Sequence, residues 1–567
     1  MLEKSQTDNY IFYLDILLII CAAGLLFLPT LGSYGLWDPW EPMWAQTARE
    51  MMDKGVWITP IYRLDTRLIH PPFVYWIIRI SYSLIGVSEF AARFPVVLFS
   101  IFGCVLNYII FRKFVSRTAS LLSSFIWLTT PMFNFLSRNS TADAVFCVSE
   151  NLAFLCFLGS MLIKNERRIY APCFYLFLSI AVLTKGPFAL FLMVIFLILL
   201  SLVLRSLKPW KSINFLPGII LFVILTVPWF ILVYHEQGTE FIQKFFSYQT
   251  QIRFTEGFRE HNHGFFFYFK TLPLGFFPWS AFFLPGLIFL LIRKSEQKVS
   301  DKNYPVISIL VFIFSIFTVY SIFPAKIHHF ILPVFPGMAW IVGIFLDRIM
   351  DKENSQGFIP CFSVSIILYL LIVGYWYYET TGHLKRLLLS TAPILFTFTV
   401  KGIIPANYEP RIFLSVFVIL IGLLILLTII FRFKYFIILI VGWMWISLFL
   451  FNNKFIPEIS KFKSMKYMVE SYQRVHKKGE PVAMVGAAKN SVFFYTNNEI
   501  LRINGAKSGT NLINYLNSTE RVFAILDEKI AINMIDYLAD TFQLNPVIVD
   551  NSHMSLVLIA NRDPRTK

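Results

Sequence analysis

The feature that most constrains this chain is its series of long apolar runs. A helix needs about 20 apolar residues to cross the hydrocarbon core of a bilayer. Runs of that kind occur near 11–28, 95–111, 119–136, 143–163, 171–184, 187–204, 214–233, 274–292, 305–323, 330–346, 359–377, 411–431 and 435–451. With 56% hydrophobic and only 15% charged residues, the chain is not an ordinary soluble, fibrous or disordered protein. We predict a mainly α-helical, polytopic membrane protein with about 13 transmembrane helices.

The distribution of Lys and Arg predicts the orientation of these helices. Basic clusters recur in the loops and fall on one side of the membrane if segment 378–410 does not cross. Positively charged loops stay in the cytoplasm, so the N-terminus is predicted to lie there too. The apolar stretch 387–404 is then a re-entrant or interfacial helix. The first run is interpreted as an uncleaved span, because no convincing small-residue cleavage site follows it.

Three longer segments are predicted on the opposite face. The segment 33–91 is rich in tryptophan and charge, which is typical of helices that lie in the membrane interface. The second is the loop 235–272. The third is the tail, where short apolar runs alternate with helix-like stretches, as in a small α/β domain. We therefore predict a transmembrane domain over 1–452 and a soluble, extracytoplasmic α/β domain over 453–567.

The charge balance and the cysteines limit the partners. The net charge is +16, from 50 basic and 34 acidic residues. Cytoplasmic loops explain part of this excess, and the rest fits anionic lipid or an anionic substrate. No nucleic acid partner is expected, because the chain has no basic soluble module to bind one. The six cysteines lie in or beside apolar runs without a CxxC, so we expect neither a disulfide framework nor a zinc site.

Three acidic residues at the outer face are candidates for catalysis. In the string WDPWE, Asp38 can cap a helix that begins at Pro39 and has Glu41 in its first turn. The same carboxylates can also supply a general base at the membrane surface. Asp143, in the string STADA, can either cap a helix or face a polar cavity. Both interpretations stay open for each residue.

Basic residues from separate loops are predicted to share this face. Those that could meet an anionic headgroup are His70, Lys185, Arg253, Lys326, His328 and His329. Lys185 interrupts an apolar stretch, where a lysine is costly unless it snorkels or pairs with an acid. His70 and the turn at Lys326 could equally be solvated ends without a role. His261 and His263 are weak evidence for a metal, since no carboxylate or thiol is obvious beside them.

Several strings carry these residues in a fixed order along nearly the whole chain. They are LWDPWEPMWAQTAREMMDKGVWITP, HPPFVYW, EFAARFP, TADAVF, LTKGP, QIRF, AKIHHFILPVFP and, in the tail, FFYTNNEI. In this order they resemble the integral-membrane glycosyltransferases of the GT-C class. Within that class they look like the lipid A aminoarabinose transferases and the protein O-mannosyltransferases. The resemblance is specific for the class and much less so for the substrate.

The resemblance implies both a fold and a reaction. It implies a GT-C fold in which the first large loop and its interfacial helices form the floor of the active site. It also implies transfer of a sugar from a polyprenyl phosphate such as undecaprenyl phosphate to a lipid, glycan or protein acceptor on the extracytoplasmic side. The setting that it implies is a bacterial inner membrane, with modification of the cell envelope, for example of lipid A.

The roles of individual residues are expected from this resemblance. Cations must stabilise the charge that develops on the leaving phosphate. The candidates are His70, Lys185, Arg253 and Lys326, joined by His328 and His329. The acceptor needs a base, for which Asp38 is the first candidate and Asp143 or Glu41 the assisting one.

Three positions depart from the family pattern. Phe330 stands where a tyrosine tends to follow the basic turn near Lys326. Trp40 stands where the family acid usually precedes the glutamate, so Asp38 would have to replace that acid. His70 stands where a lysine usually precedes Pro-Pro. A phosphate pocket rebuilt around His70, His328 and His329 would be sensitive to pH near about 6.5.

Other functions and cofactors are also considered. No cofactor is certain, although clustered acids at a phosphate site could bind a divalent metal ion. The main alternative function is a transporter or flippase of lipid-linked sugars, which also needs a basic, aromatic cavity. A transporter would place ionisable residues near mid-membrane and show an internal repeat, and neither is clear here. A non-catalytic scaffold is less favoured, because buried ionisable groups are costly to keep without use.

Overall fold

The computed structural model describes most of the chain. The described residues are 2–247, 263–295, 304–350, 433–477, 479–486, 489–503, 508–544, 546–551, 553 and 556–563. The predicted runs at 359–377 and 411–431 and the stretch 387–404 lie outside these residues.

Helices account for most of the described residues. The first half of the chain contains α1 (Leu2–Phe27), α2 (Glu41–Asp53), β1 (Ile61–Tyr62), β2 (Asp65–Thr66), α3 (Phe73–Ile85), α4 (Glu89–Phe111), α5 (Arg117–Leu128), α6 (Pro131–Ser137), α7 (Ala142–Leu162), α8 (Arg167–Lys185), α9 (Phe188–Leu204), α10 (Lys208–Ser212), α11 (Phe215–Phe246) and α12 (Phe267–Gly275). They are followed by α13 (Ser280–Ser295), α14 (Tyr304–Ile322), α15 (Val334–Met350), α16 (Phe433–Leu450), α17 (Ile456–Lys463), α18 (Lys466–Val475), β3 (Val482–Val485), α19 (Asn490–Tyr495), β4 (Leu501–Ile503), α20 (Ser508–Leu516), β5 (Phe523–Asp527), α21 (Glu528–Phe542), β6 (Val547–Asp550) and β7 (Leu556–Ala560).

Several of these helices have the length and composition of membrane spans. Within the described residues, 7 helices qualify, or up to 9 if each of two bent pairs is one span. The single helices are Asn9–Phe27, Glu89–Phe111, Ala142–Leu162, Lys164–Lys185, Phe215–Phe246, Tyr304–Ile322 and Ile437–Lys463. This confirms the prediction of a mainly helical, multi-pass membrane protein. The total of about 13 spans stays a prediction, since it includes runs outside the described residues.

Two predicted spans are broken by bends. The run 119–136 is divided into α5 and α6, which meet at 66°, and Pro131 is the first residue of α6. The run 274–292 is divided between α12 and α13, which meet at 107° across the cis Phe277–Pro278 peptide bond. Proline has no amide hydrogen to donate to the preceding helical turn, so a helix tends to end before it. Hydropathy alone does not detect such bends.

Helix α7 is the centre of the helical bundle. Residues 142–161 are all buried, as expected for a helix that is apolar on all sides and surrounded by others. The short turn Lys164–Glu166 leads into α8, which packs along α7. A short connection makes the two helices antiparallel neighbours. The beginning of α7 therefore lies beside the end of α8.

The segment between α1 and α4 contains α2, a small hairpin and α3. Strands β1 and β2 are antiparallel, and the turn between them places Arg63 and Leu64 at positive φ angles of 55° and 66°. The buried carboxylate of Glu50 on α2 accepts the backbone N–H groups of both residues at 2.9 Å. These bonds stabilise a turn that non-glycine residues otherwise avoid.

The last part of the chain forms an α/β unit with a five-stranded sheet in the order β4-β3-β5-β7-β6. Strand β3 is parallel to β4 and β5, whereas β7 is antiparallel to β5 and β6. The predicted apolar runs at 482–485, 522–526 and 555–559 correspond to β3, β5 and β7. The predicted domain boundary at 452/453 stays a prediction, and the helical segment that contains it continues to Lys463.

Candidate active site

An ion pair between two helix ends forms the centre of the candidate site. Asp143 is in the first turn of α7, and Lys185 is the last residue of α8. Lys185 Nζ lies 2.5 Å from Asp143 Oδ1, and the two residues are only 7% and 8% exposed. Gly186 ends α8 at a φ of 90°, a conformation that glycine adopts without steric cost. The pairing explains how a lysine is tolerated at the end of an apolar helix.

A second basic side chain lies against the same carboxylate. His329, in the turn before α15, places Nε2 at 3.6 Å from Asp143 Oδ1. Lys185 Nζ also lies over the rings of Phe146 and Phe330, at 5.0 and 5.4 Å from their centroids. Aromatic faces attract a cation, the more so where water is excluded. Three residues from distant parts of the sequence thus form one acid–base cluster, in which Asp143 and Lys185 are buried and His329 is partly buried.

The neighbouring predicted cations make contacts within the protein. Lys326 is 2% exposed and donates hydrogen bonds to the carbonyl oxygens of His263 at 2.8 Å and Phe323 at 2.5 Å. Burial lowers the pKa of Lys326. His328 Nδ1 lies 3.2 Å from the hydroxyl of Thr271. Two of the three protons of the Lys326 ammonium group therefore already have acceptors. Phosphate contacts by Lys326 and His328 stay predictions.

His70 lies in an aromatic stack of the first loop, which packs against α8. Its ring stacks on Trp44 with centroids 5.0 Å apart, and Trp44 stacks on Tyr75 at 4.7 Å. Leu68 and Leu183, each two residues before a predicted cation, belong to one apolar cluster. The first loop therefore packs against the last turn of α8, the helix that ends at Lys185.

Glu41 has a structural role that the sequence did not reveal. It is 2% exposed, and Oε1 accepts from Arg93 Nε at 2.6 Å and from the Ser140 N–H at 3.1 Å. Oε2 accepts from Arg93 Nη2 and from the Trp37 N–H, both at 2.8 Å. A carboxylate has about four acceptor positions, so this one is fully used. Since no acceptor position is left for a substrate proton, these contacts favour a structural role, and the assisting base at Glu41 stays a prediction.

Asp38 contacts the C-terminal unit instead of capping α2. Its Oδ1 accepts the Ser491 N–H at 2.9 Å, and its Oδ2 accepts the Ser491 hydroxyl. The N-cap of α2 is Trp40, so the predicted cap at Asp38 is wrong; Asp38 bonds to Ser491 instead. Burial raises the pKa of Asp38 to about 6, although the bonds from Ser491 lower it. A carboxylate of that pKa, with acceptor positions left, is still able to act as a general base.

Sequence reasoning missed three residues of this region. Arg93 holds Glu41, Ser491 holds Asp38, and Arg67 donates from Nε to the Tyr75 hydroxyl at 3.3 Å beside the His70 stack. The arginine in the string EFAARFP, inside an apolar helix, could have indicated a buried ion pair. Ser491 gave no signal, because it stands among ordinary polar residues of the tail.

Two predictions could not be placed. Arg253 and His261 lie outside the described residues. Within the described ranges, no three His, Cys, Asp or Glu side chains come together in a way that could hold a metal ion. The divalent metal stays a prediction.

Comparisons with known proteins agree with this fold. Residues 69–232 match the family described as dolichyl-phosphate-mannose-protein mannosyltransferase. An uncharacterized protein of Aquifex aeolicus is 31% identical over 331 residues, which are 58% of this chain and 71% of that protein. The undecaprenyl phosphate-alpha-4-amino-4-deoxy-L-arabinose arabinosyl transferase of Pectobacterium carotovorum is 29% identical over 343 residues, 60% of each protein. The aligned region thus spans less than two thirds of that transferase.

Solved structures show the same fold over almost the whole chain. ArnT from Cupriavidus metallidurans, bound to undecaprenyl phosphate, has a TM-score of 0.74 at 18% identity and covers 97% of this chain and 98% of its own. The archaeal oligosaccharyltransferase AglB from Archaeoglobus fulgidus has a TM-score of 0.50 at 11% identity, over 92% of this chain and 70% of its own.

Together these observations define an integral-membrane glycosyltransferase with the GT-C fold. The chain is related to the aminoarabinose transferases and the protein O-mannosyltransferases.

Proposed function

We propose that this enzyme transfers a glycosyl group from a polyprenyl-phosphate-linked donor to an acceptor at the extracytoplasmic face of the membrane. The named relatives support the donor class, since they use or bind undecaprenyl phosphate. The acceptor is a lipid, a glycan or a protein, and lipid A is one candidate. A bacterial inner membrane, with the C-terminal unit outside the cytoplasm, is the setting that fits the basic loops.

The cluster of Asp143, Lys185 and His329 carries the proposal. It places two basic side chains around one carboxylate at the end of apolar helices, where a lipid phosphate would enter from the bilayer. Cations fixed in a water-poor site stabilise the charge that forms on a leaving phosphate. Asp143 keeps Lys185 oriented before the donor binds. His70, Arg253, Lys326 and His328 are the further residues proposed to bind the phosphate.

The reaction breaks the bond between the anomeric carbon and the phosphate oxygen of the donor. The bonding electrons remain on the phosphate, next to Lys185. The acceptor oxygen or nitrogen forms the new bond to the anomeric carbon and loses its proton to a base. Asp38 is the proposed base, because its pKa of about 6 suits a proton acceptor at neutral pH. Asp143 is less suited, since its carboxylate is already paired with Lys185.

The proposal is tested with the full-length protein in lipid nanodiscs. The donor is undecaprenyl-phosphate-linked aminoarabinose or a hexose analogue, the acceptor is lipid A or another envelope glycolipid, and mass spectrometry measures released undecaprenyl phosphate. Lys185→Met should lower transfer about 100-fold, whereas Lys185→Arg should retain part of it. A Lys185→Met protein with unchanged turnover would contradict the proposed site.

Lys113 provides a matched control. It forms a 3.1 Å ion pair with Glu166 on the predicted cytoplasmic side, away from the cluster. Lys113→Met should leave transfer unchanged. Because Lys185→Met also leaves Asp143 without its partner, thermal unfolding of each variant is measured alongside to exclude loss of folded protein.

A further inference from the structure

Asp38 is held by a residue 453 positions away in the sequence. Ser491 is 0% exposed and donates both its N–H and its hydroxyl to the Asp38 carboxylate. The same hydroxyl oxygen accepts the N–H of Met465 at 3.0 Å. Because that acceptor position is occupied, the hydroxyl proton of Ser491 is directed at Asp38.

Residues around Ser491 hold the chain on both sides of Asp38. Asn490 Nδ2 donates to the Pro39 carbonyl oxygen at 2.9 Å, and the Tyr62 hydroxyl donates to Asn490 Oδ1 at 2.8 Å. The Leu36 N–H donates to the Tyr495 hydroxyl at 2.8 Å. Helix α19 therefore fixes the first loop just before and just after the carboxylate.

A third group of contacts reaches α2 and the hairpin. Asn498 Nδ2 donates to Glu50 Oε1 at 2.9 Å, and Arg49 donates to the Phe494 carbonyl oxygen at 3.1 Å. The Arg63 guanidinium lies over the Phe493 ring, 4.2 Å from its centroid. The contacts are polar and specific, and they come from one short segment, 490–498.

From this arrangement we propose that Ser491 is a positioning residue for the Asp38 carboxylate, so that the C-terminal unit completes the active site of the first loop. The proposal rests on the proposed function, in which Asp38 receives the acceptor proton. It makes segment 490–498 part of the catalytic apparatus and not only a support for the fold.

The charges around Asp38 determine what the loss of Ser491 would do. Lys489 faces Asp38 from the tail and lowers its pKa, and Tyr62 interacts with it from the hairpin. At the end of α17, the carbonyl oxygen of Lys463 accepts the Asp38 N–H at 2.9 Å. The hydroxyl of Ser491 stabilises the ionised form of Asp38 and opposes the effect of burial. Without it, Asp38 should ionise at higher pH.

The test is the pH dependence of kcat for full-length protein in nanodiscs. Wild type should show an acid limb near pH 6, where Asp38 ionises. Ser491→Ala should move this limb up by about one pH unit, with turnover about 5-fold lower at pH 6 and within about threefold of wild type at pH 8. Donor KM should stay within about threefold, because Ser491 does not contact the Lys185 cluster.

Asn490→Ala is the matched control. It removes the side-chain bond to the Pro39 carbonyl oxygen but keeps the backbone N–H of Asn490, which also bonds to the Asp38 carboxylate. It should therefore lower turnover equally at all pH values and leave the acid limb in place. If Ser491→Ala does not fold, Ser491→Cys keeps a weaker donor and should give a smaller upward shift.

Distinct outcomes separate this inference from the proposed function. An acid limb that is lost in Asp38→Asn but unmoved in Ser491→Ala would overturn the inference alone. The same shift in Asn490→Ala would overturn it too, since general loosening would then be the cause. An acid limb that persists in Asp38→Asn would overturn both the base and its positioning residue. A wild-type protein without transfer would contradict the proposed function itself.

Discussion

Asp143 and Lys185 are stable at the edge of an apolar bundle because each compensates the charge of the other. Removing one partner of a buried ion pair typically costs about 3–5 kcal/mol. The two side chains also lie at the helix ends that suit their charges, the acid at the start of α7 and the lysine at the end of α8. The pair therefore keeps a cation ready at the site without a bound substrate.

A first prediction concerns Glu41. Glu41→Gln removes a charge that Arg93 contacts at 2.6 and 2.8 Å, while Arg93 stays buried. We expect the free energy of unfolding to fall by about 3–5 kcal/mol, measured by thermal or denaturant unfolding in detergent.

The exposed pair of Glu166 with Lys113 is the control, and Glu166→Gln should change stability by less than about 1 kcal/mol. Loss of transfer in Glu41→Gln with unchanged stability would instead support Glu41 as a base.

A second prediction concerns the pH dependence of stability at Asp38. Burial raises the pKa of Asp38 from 3.8 in the unfolded chain to about 6 in the fold. Between these values the folded state binds more protons, so the contribution of Asp38 to stability falls as pH rises from 4 to 6. Over this range the contribution of Asp38 to the free energy of unfolding falls by about 3 kcal/mol.

Asp38→Asn should remove this dependence. The difference in melting temperature, variant minus wild type, should be larger at pH 7.5 than at pH 4.5. Equal differences at the two pH values would show that Asp38 does not titrate in this range.

At the scale of elements, sequence patterns predicted the main helices and the tail strands but not their bends. The apolar runs at α4, α7, α8 and α14 predicted helices because span length and hydropathy are local properties. The break between α5 and α6 depends on how Pro131 packs, which a window of hydropathy averages away.

For the site, the sequence likewise predicted the residues but not the contacts between them. Asp143, Lys185 and His329 could be named because each is an ionisable residue in an apolar context. Their mutual contact could not, since it depends on the packing of three helical segments. The partner of Asp38 is 453 residues away, and no local pattern connects the two.

A third prediction concerns the centre of α7. Glu150 is 0% exposed, and neither of its side-chain oxygens has a hydrogen-bond partner among the described residues. A buried polar group without a partner destabilises a protein. Glu150→Met, of similar length, should therefore raise the free energy of unfolding by about 1–3 kcal/mol. Transfer should be unchanged, since Glu150 lies about 10 Å along the helix from Asp143.

Unfolding and transfer are measured on the same preparation. If transfer is lost while stability is unchanged or higher, Glu150 takes part in the reaction.

For the whole molecule, the basic loops predict which face of the bundle meets the cytoplasm. The Lys113–Glu166 pair lies on the predicted cytoplasmic side, and the sheet of the tail on the other. Cysteines are introduced singly at exposed Lys113 or Thr519 in a chain whose own six cysteines are replaced. In intact spheroplasts, a membrane-impermeant maleimide should label Thr519→Cys, and Lys113→Cys only after permeabilisation.

Labelling of both cysteines before permeabilisation, or of Lys113→Cys alone, would contradict this orientation. The donor phosphate would then have to be presented on the other side of the membrane.

The central claim is that this enzyme consumes a polyprenyl-phosphate sugar and places the sugar on an acceptor. Mass spectrometry of polyprenyl-phosphate sugars and envelope glycolipids, with and without the gene and with Lys185→Met restored to the deletion strain, tests it most directly. We expect the donor to accumulate and one sugar to be missing from an acceptor in both the deletion and the Lys185→Met strain. If the parent strain contains the folded protein and its deletion leaves both pools unchanged, the account is contradicted.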